Sequence, residues 1–213
     1  MMNLRVEIVK SYREYVLDTG LSPSDLVAFC KRYDLNENEV REQFSSLKQV
    51  PEMIWSDLFK QIVAKLEADE KYRESTVRER LLSFYREFFI EMKAYRSFAK
   101  LTMSSSLSNL QTTPRGMSQL KAAFGGWVGA LLMHGVAVGE IADRSKLNET
   151  YDTILWLHFL FMFHFWKSDE SPGFDRTNDA LEKSGELIFD IIERNALDSA
   201  LDFGKFVLVN SQS

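Results

Sequence analysis

Three histidines, one cysteine and a short run of carboxylates are the residues of this 213-residue chain whose types could do chemistry. His158 and His164 stand six apart, which on a helix sets them about 240° from each other, so they cannot close on one metal ion. His134 stands alone in its segment. Cys30 is the single cysteine, which excludes an internal disulfide and a cysteine zinc site. The sequence has no Gly-rich phosphate loop, and no Ser, His and Asp fall at a spacing suited to nucleophilic catalysis. The expectation is a protein that is not an enzyme and that holds no metal or cofactor.

Binding is the better-supported chemistry. Trp127, Leu131, His134 and Val138 share one side of a helix, and Phe84, Phe88, Met92 and Trp156 come from helices that should surround it. Large rings beside glycines with one polar imidazole describe an apolar small-molecule cavity with a single orienting group. A solid aromatic core is the alternative.

A second kind of binding is suggested by "SPSDLVAFCKRYDLNENEVREQF", residues 22–44. Two short helices joined by a tight turn have helix-turn-helix spacing. Yet residues 36–44 carry Glu37, Glu39 and Glu42 against Arg41, a net of −2. A carboxylate ~5 Å from a phosphate at near-water dielectric costs on the order of 1 kcal/mol before screening. The formal charge of the whole chain, −5, also has the wrong sign for simple nucleic-acid affinity.

These residues need helices to position them. Long 3.6-residue periodicity with 4 Pro predicts an all-α protein. A first helix runs over residues 4–19 and ends at Gly20. Ser22 is expected to cap the second with Pro23 at its first position, and Asn36 to cap the third. A fourth helix spans 48–68, and the charged stretch "ADEKYRES" marks a boundary. A long amphipathic helix covers 76–98, then a short one lies before Pro114. Further helices are predicted over 115–141, 150–167, 175–194 and 197–208. Residues 1–47 form one domain and 48–213 the other.

Residues 122–139 carry no charge and contain Gly125-x-x-x-Gly129. A membrane span needs about 20 apolar residues, so a buried central helix is the expectation rather than a transmembrane segment. Residues 154–166 are apolar on every face and must be covered all round. Met1–Lys10 has no apolar signal-peptide core, which points to the cytoplasm.

Three short helices, a linking fourth and several longer ones resemble the tetracycline-repressor (TetR) family. Ile8, Val9, Val16 and Gly20 match its first helix, Leu26, Phe29 and Cys30 its second, and Leu35, Val40, Phe44 and Ser46 its turn and recognition helix. The departures fall on DNA-facing positions: Glu37, Asn38, Glu39, Arg41 and Glu42 replace the usual small and aromatic residues, Asp34 replaces the turn Gly, and Leu47-Lys48 shifts the Lys by one. The resemblance implies a one-component transcription regulator. Asn38, Arg41 and Gln43 would face bases of an operator, and Lys31, Arg32 and Lys48 would face phosphates. An apolar effector would bind in the C-terminal domain. A homodimer would close through the last two long helices, with Phe161, Phe165, Leu181 and Ile188 in its interface. The same fold is also similar to lipid-binding accessory proteins of ubiquinone biosynthesis. That likeness implies the alternative, a repressor-fold protein that has lost DNA binding and takes a lipid- or quinone-like molecule or a protein partner.

Overall fold

The computed structural model describes residues 4–103, 113–114, 116–141 and 148–193. The helices expected before Pro114 and over 197–208 lie outside them. The described residues are helical throughout: α1 (Leu4–Thr19), α2 (Leu26–Tyr33), α3 (Glu37–Gln43), α4 (Gln49–Glu67), α5 (Glu70–Glu74), α6 (Val77–Met92), α7 (Arg96–Thr102), α8 (Ser118–Ala137), α9 (Asn148–Ser168) and α10 (Asp175–Glu193).

α1 to α3 make a small headpiece. Ile8, Tyr12 and Val16 of α1 bury against Phe29, Cys30, Val40 and Phe44, the i, i+4, i+8 stripe that the sequence shows. The second helix starts later than its Ser22-Pro23 signal suggests. Asp25 is the cap, its carboxylate accepting from the Val27 and Ala28 N–H groups at 2.8 and 3.1 Å. Two orphan donors satisfied by one carboxylate outweigh a serine three residues upstream. Asn36 caps α3 as expected, accepting from Asn38 and Glu39.

The body is built on α4, α6, α8, α9 and α10. Two predicted boundaries move. The charged stretch contains a helix, α5, because Asp69 caps it and Tyr72 turns inward under the Arg80 guanidinium. The long helix of 76–98 ends at Met92, passes through a 3-10 turn (Lys93–Tyr95) and restarts as α7. A Thr76–Glu79 capping box starts α6, and the Glu140 carboxylate accepts from its Val77 N–H at 2.7 Å.

α8 is long and apolar enough to cross a membrane by length and composition. Here Leu120, Phe124, Val128, Leu131 and Gly135 face α4, α6 and α9 while Gly126, Ala130 and Met133 are exposed, so it is covered on one side rather than all round. Gly135 is needed: a Cβ there would come within 2.8 Å of Val77 and 2.9 Å of Ile141. α9 is buried through Leu155, Phe159, Phe163 and Trp166, with Phe161 left outside.

Candidate nucleic-acid interface and ligand sites

The six residues expected to face DNA are all exposed: Lys31 and Arg32 at the end of α2, Asn38, Arg41 and Gln43 on α3, and Lys48 just before α4. Two of the cations are already engaged. Arg32 pairs with Asp18 of α1 at 2.9 Å and lies over the Tyr15 and Tyr33 rings. Arg41 pairs with Glu37 one turn back at 2.7 Å. Among the described residues, Lys31 and Lys48 have no carboxylate at ion-pair distance, and neither Glu39 nor Glu42 has a cation. The turn between the helices takes its shape from Asp34, at φ 53°, with the Leu35 N–H returning to the Cys30 carbonyl at 3.0 Å. Asp tolerates that left-handed conformation better than most residues, which lets it stand where the family has Gly.

The headpiece is tied to the body at two points the sequence did not announce. Arg5 pairs with Asp57 of α4 at 3.0 Å. Arg13 donates to the Ala94 carbonyl at 3.0 Å, with its guanidinium 4.0 Å from the centre of the Tyr95 ring. Tyr12 and Trp55 both pack on Phe98 between them.

The seven expected ligand residues do not line one cavity. Phe84, Phe88, Met92 and Trp156 are buried, and rings fill the space between them. Phe84 lies 4.6 Å from Trp127 and 5.6 Å from Phe88, and Phe159 lies 5.1 Å from Phe88 and 5.3 Å from Trp156. The solid aromatic core is therefore what forms there, because rings one turn apart on α6 interleave with rings one turn apart on α9. Trp127, Leu131 and His134 instead line an open cleft of about 260 Å³ with Glu67 and Arg80. Arg80 pairs with Glu67 at 2.6 Å, its side chain 12% exposed, and the buried Arg80 Nε and Trp127 Nε1 have no acceptor among the described residues. A basic residue at one helix start and an acid at another helix end carried no joint signal in sequence.

His158, the most perturbed imidazole, is a hydrogen-bonded core residue. Its Nδ1 meets the Tyr85 hydroxyl and its Nε2 the Ser184 hydroxyl, each at 2.9 Å. Burial lowers its pKa to about 4, so the ring is neutral near pH 7. It stands on α9 between α6 and α10 and is 7% exposed. Among the described residues no group of His, Cys, Asp and Glu could hold a metal ion.

Of the four expected interface residues, Leu181 and Ile188 are covered within the subunit, at 2% and 8% exposure. α10 turns that stripe onto α6 and α9, inside the subunit. Phe161 and Phe165 are paired on the outer side of α9, their centroids 6.2 Å apart, and Leu187 of α10 is exposed.

A helical headpiece of this kind, on a body of this order, has a counterpart in sequence space. The family model described as "Tetracyclin repressor-like, C-terminal domain" matches residues 80–207, more than half of the chain. The chain belongs to the TetR family. The crystal structure of a Shewanella sp. PV-4 protein assigned to that family of transcription regulators is similar in fold. Its TM-score is 0.50 at 12% identity, covering 86% of this chain and 96% of that one. No curated protein matches. The TetR model matches from within α6 onward, and the structural likeness, at this identity, shows a shared all-α fold. TetR family members are in general regulators rather than enzymes.

Proposed function

We propose that the protein is a TetR family transcription regulator that acts as a dimer, reads DNA with α3 and responds to an apolar small molecule. The observation that carries this reading is the exposed α3, capped by Asn36 and anchored by Val40 and Phe44, with Asn38, Arg41 and Gln43 left pointing to solvent. Asn and Gln suit adenine and Arg suits guanine in the major groove. The dimer face is the outer side of α9, where Ile154, Leu157, Phe161 and Phe165 lie at helical spacing, together with the exposed Leu187 of α10. The effector site is the Trp127–Leu131–His134 cleft, an apolar wall with a polar end. One observation favours the alternative in which DNA binding is lost: Arg32 and Arg41 are both held by carboxylates of the headpiece.

Sedimentation at micromolar concentration should give about twice the 24.7 kDa chain mass, and a duplex from the gene's own upstream region should bind as one dimer. Phe161→Glu should yield monomers that melt normally, because the side chain is already 37% exposed within the subunit, and should lose the DNA complex. A wild-type monomer overturns the two-half-site reading. A dimer that ignores its upstream DNA selects the alternative.

A further inference from the structure

A groove of about 400 Å³ opens between α6, the end of α9 and the start of α10, and shares no lining residue with the Trp127 cleft. Its apolar wall is a run of three rings. Phe89 lies 6.1 Å from Trp166 and Trp166 lies 6.1 Å from Phe174, each pair 29° from parallel. Its rim carries two cations, Arg86 and Lys93, and one carboxylate, Glu182. Lys93 has no carboxylate at ion-pair distance among the described residues, and its ammonium lies 5.3 Å from the Phe174 ring centre. Arg86 reaches Glu182 only at 3.7 Å, with both side chains more than half exposed. The buried Trp166 Nε1 has no acceptor among the described residues.

Phe174 is the unusual member. Its φ of 65° lies in the left-handed region, where a bulky residue is an outlier. Such a conformation persists where the surroundings over-determine it, and it clusters at ligand sites. Here the Asp169 carboxylate fixes both flanks. One oxygen accepts from the Ser171 N–H and hydroxyl at 2.9 and 2.7 Å, the other from the Thr177 N–H and hydroxyl at the same distances. The half-buried Phe174 ring packs on Trp166 at the edge of the groove, with the Arg96 guanidinium 4.7 Å and the Lys93 ammonium 5.3 Å from its centre.

We propose that this groove is a small-molecule site for a planar aromatic carboxylate, its ring on Phe174 and its carboxylate on Lys93. A ring fits a wall of rings, and a cation left without a counter-charge beside an apolar floor selects an anion over a neutral analogue. The inference goes beyond the regulator reading, and its failure would leave that reading intact.

The test is calorimetry on the full chain with 1-naphthoate and, as the uncharged probe, 1-naphthamide. Naphthoate should bind saturably at one site per chain and naphthamide several-fold more weakly. Lys93→Met should weaken naphthoate about fivefold, the size of a well-placed exposed charge pair. Phe174→Gly keeps the positive φ at no steric cost and removes the ring, so it should also weaken binding about fivefold, with a lower melting temperature because the ring packs on Trp166. Trp127→Leu in the other cleft should change nothing. Equal binding of the two probes, loss of binding in Trp127→Leu rather than Lys93→Met, or no saturation up to about 5 mM each overturns the proposal.

Discussion

Replacing Glu39 and Glu42 together by Gln tests whether the headpiece is held off DNA by its own acids. Glu37 is already neutralised by Arg41, so these two are the unpaired carboxylates of α3. At ~5 Å from a phosphate each opposes binding by about 0.8 kcal/mol in water, and physiological salt removes about half of that. The double variant should therefore bind a random duplex about four- to fifteenfold more tightly per headpiece. The number of counterions it releases should not change, because no cation has been added, so its salt slope should steepen only by the small part the screened repulsion had offset. With Lys31 and Lys48 as the unpaired cations, a dimer offers four, and the slope of log K against log[salt] should be about −3.6. Adding Glu37→Gln releases Arg41 and should steepen the slope to about −5.4. Fluorescence anisotropy on a labelled duplex over a salt series gives both numbers. Thermal stability should move by less than about 0.5 kcal/mol, since Gln and Glu have similar helix propensity and the sites are exposed. If the double variant binds random DNA no better, the acids do not face phosphates and the electrostatic reasoning fails. If it loses preference for the upstream site, the acids are reading bases.

Two further outcomes follow from the core. His158 has a folded pKa of about 4 against 6.5 when exposed, so the unfolded chain binds its proton first and stability falls as pH drops between those values. Urea unfolding at pH 8 and pH 5 should differ by about 2 kcal/mol more in the parent than in His158→Gln, and equal differences would place the ring in solvent. Two of the four glycines of α8 should respond in opposite senses. Gly126→Ala meets nothing within 4 Å and should stabilise by about 0.5–1 kcal/mol, whereas Gly135→Ala, 2.8 Å from Val77, should destabilise by about 1 kcal/mol or more, read as shifts in melting temperature.

The helix order and the headpiece core were legible because they rest on periodicity: Ile8, Tyr12 and Val16, or Val40 and Phe44, can bury together on one face and on no other. The expectations that failed rest on information periodicity lacks. Leu181 and Ile188 are apolar at helical spacing whichever neighbour they meet, so the pattern cannot tell a subunit's own core from a partner's. The break after Met92 has no Gly or Pro to mark it. Its cause is tertiary, since Arg13 draws the Ala94 carbonyl away from continued helix pairing. Ring-rich stretches likewise read the same whether they line a void or fill one, and the volumes of Phe84, Phe88, Phe124 and Phe159 decided for filling. The Phe174 groove was invisible because its parts lie on three elements, and the "SDESPG" turn beside it read as a turn alone.

The two arginine ties of α1 give the headpiece a pivot and a lever. Arg5 and Arg13 are eight residues apart, about 12 Å along the helix, one fixed to α4 and the other to the 3-10 turn. A displacement of about 1 Å of that turn, with Arg5 as fulcrum, tilts α1 by about 5°. Since Arg13 grips a main-chain oxygen, the gearing depends on where the turn lies and not on which side chain occupies position 94. Substitutions at Ala94 should leave the lever working, and a ligand that shifts Lys93 would be pushing on its long arm.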